Sequence, residues 1–183
     1  MSGQSAADGS PLIGDGVQIA VAPVKTPFGT LRIASSRDCV LAVELPRQQS
    51  GAPVFDEWLR DHLLARTRPA VLRQAILELR EYFGGKRHRF AVPLAPSGTE
   101  FQQRVWRAVA AIPFGQTTTY GAIAAGLGDK QRARAVGAAV GANPIPIFIP
   151  CHRVLGTNDA LTGYGGGLKM KVRLLRHEGV LLA

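Results

Sequence analysis

The sequence predicts an α+β fold: a small N-terminal domain with an antiparallel sheet and helices, then a mainly helical C-terminal domain with a helix-turn-helix. Three observations predict it. Residues 17–45 hold three short runs of β-branched or alternating apolar residues set off by turn signals. From residue 69 the apolar spacing becomes helical. Beyond Pro96-Ser97-Gly98 the composition shifts towards Ala, Gly and Arg, and two short helical stretches flank a Gly-containing turn. The expected boundaries are a flexible tail at 1–15, an N-terminal domain at 16–95 and a C-terminal domain at 96–183.

In chain order, Val17–Val24, Leu31–Ser35 and Val40–Leu45 are predicted strands of a meander. Thr26-Pro27-Phe28-Gly29 forms its first turn, and the chain around Asp38 forms its second. Pro46 to Pro53 is a polar loop. Phe55 to Ala65 is predicted helical, with Phe55, Trp58, Leu59 and Leu63 inward. Pro69 to Phe83 is a second helix: proline suits a first turn, and Val71, Leu72, Ala75, Ile76, Leu79, Tyr82 and Phe83 keep the helical period. Gly84-Gly85 stops it. Lys86-Arg87-His88-Arg89 is a solvated cationic loop, and Phe90 to Leu94 is at most a short strand.

In the second half, Thr99 and Gln102 have capping-box spacing. They open a helix with Phe101, Val105, Trp106, Val109 and Ala110 on one face, ended by Pro113 and Gly115. Thr119 caps a short helix, Tyr120 to Ala125. Gly126-Leu127-Gly128 turns the chain, and Asp129 caps the next helix, about 130–141. Asn143-Pro144 ends that helix, because a residue before proline avoids helical backbone. Ile145–Ile149 then runs extended into Cys151. Gly156 to Asp159 is a loop, Thr162 to Gly167 a glycine-rich turn, and Lys169–His177 a final helix closed by Glu178-Gly179.

Composition narrows the function. An apolar fraction of 46% with 19% charged residues is ordinary for a globular chain. No apolar run approaches the roughly 20 residues that span a bilayer. No secretory signal is visible and two cysteines make no disulfide framework, so a cytoplasmic location is expected. The formal charge is +9, unevenly spread. Residues 1–95 carry 12 Lys/Arg against 9 Asp/Glu, whereas residues 96–183 carry 10 against 4. A cationic surface of this kind recruits polyanions, nucleic acid first.

The segment from Gln131 to Gly141 adds to that. Its Ala and Gly residues make a thin helix with few side chains able to read base edges. A thin helix suits the minor groove, only about 6 Å wide and poor in sequence information. Sequence-independent binding to double-stranded DNA is therefore expected, with Arg132 and Arg134 for phosphate contact or insertion. The alternative is a small-residue helix packed tightly against a neighbour, which would also explain Gly137 and Gly141.

Cys151 follows an apolar run and precedes His152 and Arg153. A thiol becomes a nucleophile as thiolate, so an adjacent base matters. A buried inert cysteine, a metal ligand and a hydrolase nucleophile are the other readings. Metal is disfavoured, since Cys39, His62 and His88 show no ligand spacing. A thin DNA helix just upstream of a thiol instead suggests chemistry on a base extruded from the stack.

At these residues the chain closely resembles the O6-alkylguanine-DNA alkyltransferases, the methylated-DNA–protein-cysteine methyltransferases. The resemblance is carried by Phe101 to Trp106, Ile112 to Gly115, Tyr120-Gly121, Ala133 to Gly137, Asn143 to Val154, Leu161 to Tyr164, Gly167-Leu168 and His177-Glu178-Gly179. It is strong from about 97 to 180 and only architectural before that. It implies stoichiometric, irreversible transfer of the alkyl group from O6-alkylguanine, and from O4-alkylthymine, to Cys151, without cofactor or metal. His152 would deprotonate the thiol through a water, oriented by Glu178. Asn143 would brace the turn before the cysteine. Tyr120 would bond the flipped guanine at N3, and Arg134 would replace it in the stack. Tyr164 would line the pocket, with backbone near Cys151, Val154 and Gly165 holding the base edge. Thr119, Tyr120, Arg132, Ala133, Arg134, Ala135 and Gly137 would form the DNA face of a monomer, possible cooperativity on DNA aside. Arg153 is expected to be structural, bonded to backbone or a carboxylate. A non-catalytic lesion binder of the same fold is the alternative. Two departures stand out. Asn158-Asp159 replaces a loop glycine of many relatives, and Gly165 stands where some have serine or alanine.

Overall fold

The computed structural model describes residues 17–46, 59, 63–65 and 67–181. The expected tail, the 47–53 loop, Phe55, Trp58 and His62 lie outside them. The first half is built on β1 (Gln18–Thr26), β2 (Gly29–Ser35) and β3 (Val40–Glu44), an antiparallel meander as expected. Thr26 pairs with Gly29 across a two-residue loop, and Gly29 takes φ 114°, which a side chain would resist.

One expectation fails here. The predicted helix over Phe55 to Ala65 does not reach its end, because Leu63–Leu64 is a strand, β4, parallel to β1. The start of β1 is a sheet edge with free backbone groups, and Gln18 and Ile19 pair with this segment; Ala65 N–H adds a 2.8 Å bond to Ile19 O. A leucine pair fits either period, so the sequence alone did not discriminate.

Helix α1 (Ala70–Phe83) packs against the sheet and buries Val71, Leu72, Ala75, Leu79 and Tyr82, while Gly84 and Gly85 end it as expected. No strand forms over 90–94; only Leu94 bridges to Val40. The cationic run is not simply solvated. Arg87 pairs with Glu81 at 2.7 Å, and the His88 ring stacks 4.1 Å from Phe114.

The second half opens with α2 (Glu100–Ala110), whose Thr99–Gln102 capping box is complete in both directions. Val105, Trp106 and Val109 are buried, but Ala110 is exposed rather than inward. A two-residue strand β5 (Thr118–Thr119) leads into α3 (Tyr120–Gly126), capped by Thr119. Asp129 caps a 3₁₀ turn, Lys130–Arg132, which runs into α4 (Ala133–Gly141). Helices α3 and α4 form the helix-turn-helix, and α4 rests on α2 and α3.

Ile145–Ile149 is buried but not extended. Pro144, Pro146 and Pro150 remove the donors a strand ladder needs, so the segment turns back, with Ile149 N–H bonding Ile145 O at 2.9 Å. Ile147 takes φ 77°, rare for a β-branched residue and worth about 1–3 kcal/mol of stored strain. Cys151–Arg153 then forms a 3₁₀ turn, and β6 (Val154–Leu155) pairs in parallel with β5. Asn158 and Asp159 both adopt left-handed backbone, φ 55° and 56°, a conformation these two residue types tolerate. Helix α5 (Gly167–His177) closes the chain.

One apolar core runs through both halves, from Leu31 and Tyr82 to Trp106, Ile145 and Leu174. Val43 N–H of β3 bonds Pro144 O at 2.8 Å, tying the sheet to the loop that carries the cysteine. Buried Trp106 donates to Ala139 O at 2.7 Å, satisfying a carbonyl near the end of α4. Trp106→Phe is expected to destabilise the fold by about 1–3 kcal/mol, because that carbonyl is left buried without its partner. A denaturant titration of both proteins measures it.

Candidate active site

A cleft of about 960 Å³ opens between α3, α4 and the 156–165 loop, with Cys151 in its lining. Of the residues singled out in the sequence, Thr119, Tyr120, Ala133, Arg134, Gly137, Asn143, Tyr164 and Gly165 line it too. Arg132 and Ala135 do not. Arg132 pairs with Asp129 at 3.3 Å and lies over the Phe101 ring, and Ala135 faces solvent. Tight packing does not explain the glycines of α4. A Cβ on Gly141 would meet nothing within 4 Å, and one on Gly137 would make only ordinary contact with the Tyr120 ring at 3.8 Å. Their smallness keeps the cleft wall thin.

Cys151 is 7% exposed. Burial pushes its thiol up to about 11, against the opposing pull of Asn143, neighbouring backbone N–H groups and the Lys171 ammonium. The sulfur is therefore a thiol at neutral pH and needs a base. Asn143 holds the loop leading to it: its Nδ2 donates to Ile149 O at 2.9 Å and its Oδ1 accepts from Ile145 N–H at 3.0 Å. The amide thus spans the tight Ile145–Ile149 turn.

His152 is fully buried, with Nε2 2.8 Å from Glu178 Oε1. The carboxylate only accepts, so Nε2 carries the proton and Nδ1 presents a lone pair. Burial keeps the ring below its ordinary value, although Glu178 pulls the other way. At neutral pH it is a free base.

Glu178 sits just past the end of α5, 4% exposed, and is the hub of the site. Arg153 grips both oxygens, Nε to Oε2 at 2.8 Å and NH2 to Oε1 at 2.9 Å, and its NH1 donates to Ile112 O. Arg153 is structural, as expected. Tyr82 donates to Oε1 at 2.6 Å from the N-terminal half. Burial alone would raise this carboxyl, but the bonds from His152, Arg153 and Tyr82 outweigh it and hold it far below the usual carboxylate range.

Two further buried groups had not been singled out as functional. Tyr82 had been read as core. Lys171 donates to Val154 O at 2.6 Å and Thr162 O at 3.0 Å, clamping the segment after the cysteine. The one signal for Lys171 is a charge set among Met170, Leu174 and Leu175 on the inner face of α5. Among the described residues, His152 Nδ1 and Tyr164 Oη are buried without a partner. Both belong to this site, their rings 6.4 Å apart. Val154 itself is buried and lies outside the cleft lining.

Comparison with known proteins shows what the chain as a whole is similar to. Residues 100–180 match the family model for the 6-O-methylguanine DNA methyltransferase DNA binding domain, and residues 20–96 match that for the ribonuclease-like domain of the same proteins. A methylated-DNA–protein-cysteine methyltransferase of Methanosarcina acetivorans is 41% identical over 155 residues, covering 85% of this chain and 95% of that one. The constitutive enzyme of that name from Bacillus subtilis is 39% identical over 158 residues, covering 85% and 93%. The crystal structure of the Mycobacterium tuberculosis O6-methylguanine methyltransferase superposes with a TM-score of 0.76 at 38% identity, covering 88% of this chain and 93% of that one. A structure of M. tuberculosis OGT in complex with DNA gives 0.74 at 38% identity, covering 88% and 92%.

The buried ion pair makes a stability prediction. Glu178→Gln leaves Arg153 buried beside a neutral amide and is expected to cost about 3–5 kcal/mol. Folding lowers this carboxyl, so its contribution is complete above its ordinary value of about 4.5 and is lost as pH falls towards its folded value. The gap between wild type and Glu178→Gln should therefore be widest near neutral pH and shrink below pH 4.5, as denaturant titrations across pH would read.

Proposed function

The chain belongs to the 6-O-methylguanine DNA methyltransferase family, and from that premise we propose that it repairs DNA by moving an alkyl group from O6 of guanine to the sulfur of Cys151. The observation that carries this reading is a buried thiol in the lining of a cleft of about 960 Å³, followed in the chain by a neutral imidazole whose proton-bearing nitrogen is fixed by a buried carboxylate. Such a carboxylate–imidazole pair orients a base without taking the proton itself.

In this mechanism duplex DNA docks its minor groove on α4, and the damaged nucleotide swings into the cleft. Arg134, exposed at the start of α4 and in the cleft wall, fills the vacated stack. The thiol proton passes through a water to His152 Nδ1 as Sγ attacks the alkyl carbon in line. The S–C bond forms, the C–O6 bond breaks with its electron pair going to guanine, and the proton that left the thiol is passed on from His152 through water to the departing base, which leaves neutral. Hydrogen-bond donors aimed at the base stabilise that departing charge. Tyr120 and Tyr164 line this space, and the Tyr164 hydroxyl is buried without a protein partner. The product is a thioether with no good leaving group, and the other cysteine, Cys39, is not in the cleft lining. Each molecule therefore acts once. The same pocket accepts O4-alkylthymine, and the chain binds DNA as a monomer without sequence preference. Among the described residues, no helix is long and apolar enough to cross a membrane.

Incubation with an oligonucleotide carrying O6-methylguanine should add one methyl, about 14 Da, to the Cys151 peptide by mass spectrometry. An unmodified protein that still binds the lesion would make it a non-catalytic lesion binder instead. Arg134→Ala should slow repair in duplex about tenfold, the rate equivalent of about 1.4 kcal/mol, while sparing reaction with free O6-benzylguanine. Equal slowing with both substrates would remove the role in base extrusion.

A further inference from the structure

We propose that Tyr82, on helix α1 of the N-terminal half, is a positioning residue for the transfer reaction, its hydroxyl setting the Glu178 carboxylate that in turn sets His152. This rests on the alkyl-transfer reading above.

Core packing does not require that hydroxyl. The Tyr82 ring is fully buried among Phe83, Phe90, Phe114 and His177, surroundings that a phenylalanine would fill equally well. Its 2.6 Å bond reaches 96 residues along the chain to Glu178 Oε1. The same residue is held twice, since His177 Nε2 lies 2.8 Å from Tyr82 O. Helix α1 therefore grips both His177 and Glu178 at the end of α5. Oε1 is the oxygen that receives His152, so the phenol and the imidazole share it.

Two consequences follow. The phenol and Arg153 together leave the carboxylate one orientation. The phenol also draws charge from Oε1, so that His152 holds a second proton less tightly than it would beside an unshared oxygen. The other charged or titratable groups around the imidazole are Arg153, Lys171, Cys151 and Tyr164, and none of them substitutes for the phenol on Oε1 except Arg153. Since the imidazole must be neutral to accept the thiol proton, losing the phenol raises the pH at which activity appears.

The test is the second-order rate of benzyl transfer from free O6-benzylguanine across pH, with the full chain. Tyr82→Phe is expected to move the acid-side midpoint up by roughly half a pH unit or more and to slow transfer several-fold near neutrality. Its affinity for undamaged duplex should stay unchanged. 3-Fluorotyrosine placed at position 82 alone keeps the shape and strengthens the donor, so its midpoint should move down, a readout that survives if Tyr82→Phe does not fold. Trp106→Phe, which weakens the fold elsewhere, should leave the midpoint in place. A wild-type midpoint in both position-82 variants, or the same shift in Trp106→Phe, overturns the proposal. Absence of transfer by wild type would overturn the alkyl-transfer reading itself.

Discussion

Everything at this site hangs on one buried carboxylate. Glu178 takes bonds from a tyrosine on α1 and from a histidine and an arginine that follow one another in the cysteine turn. Removing two ionic groups from water is expensive unless nearly every lone pair is used, and here nearly every one is. The two Oε1 contacts that matter for chemistry also serve the fold: they join α1, the cysteine turn and the end of α5 at one point. Stability and base orientation are thus properties of the same few atoms, and the N-terminal half enters the site through Tyr82 rather than merely flanking it.

The thiol shows the same economy. A sulfur buried this deeply resists ionisation, which protects it from casual oxidants and alkylators in solution. It becomes a nucleophile only with a base in place and a carbon presented in line. The loop before it is kept tight by Asn143 and by the strained backbone of Ile147, and the turn after it is clamped by Lys171. Rigid placement of this kind is how a fold turns collision into reaction without moving parts. In the proposed reaction the thin wall of α4 does the complementary task, leaving room for the extruded base beside a covered sulfur.

The sequence was readable where the determining physics is local. The Thr99–Gln102 box, the Thr119 and Asp129 caps and the glycine stops each depend on residues within a turn of one another, and each was found where expected. Cys151 and His152 were legible because a thiol and a base are adjacent in the chain, whereas the bracing role of Asn143 was implied only by the family resemblance. What was not legible depends on contacts across the fold. Leu63–Leu64 became a strand because an edge of β1 needed a partner. Ile145–Ile149 looked like a strand by composition, and its prolines decided otherwise. Tyr82 read as one more inner-face aromatic, since nothing near it in sequence reveals a carboxylate 96 residues away. A buried hydroxyl needing a partner was the one available hint.

The central claim is that at rest the imidazole is neutral, with its proton turned towards Glu178 and its other nitrogen free to receive the thiol's. Nitrogen-15 NMR of histidine-labelled protein at neutral pH reads this directly from the two ring nitrogens of His152. The expected spectrum has a protonated Nε2 and a bare Nδ1, beside an un-ionised Cys151. A doubly protonated ring paired with a thiolate, or a proton on Nδ1, would contradict it.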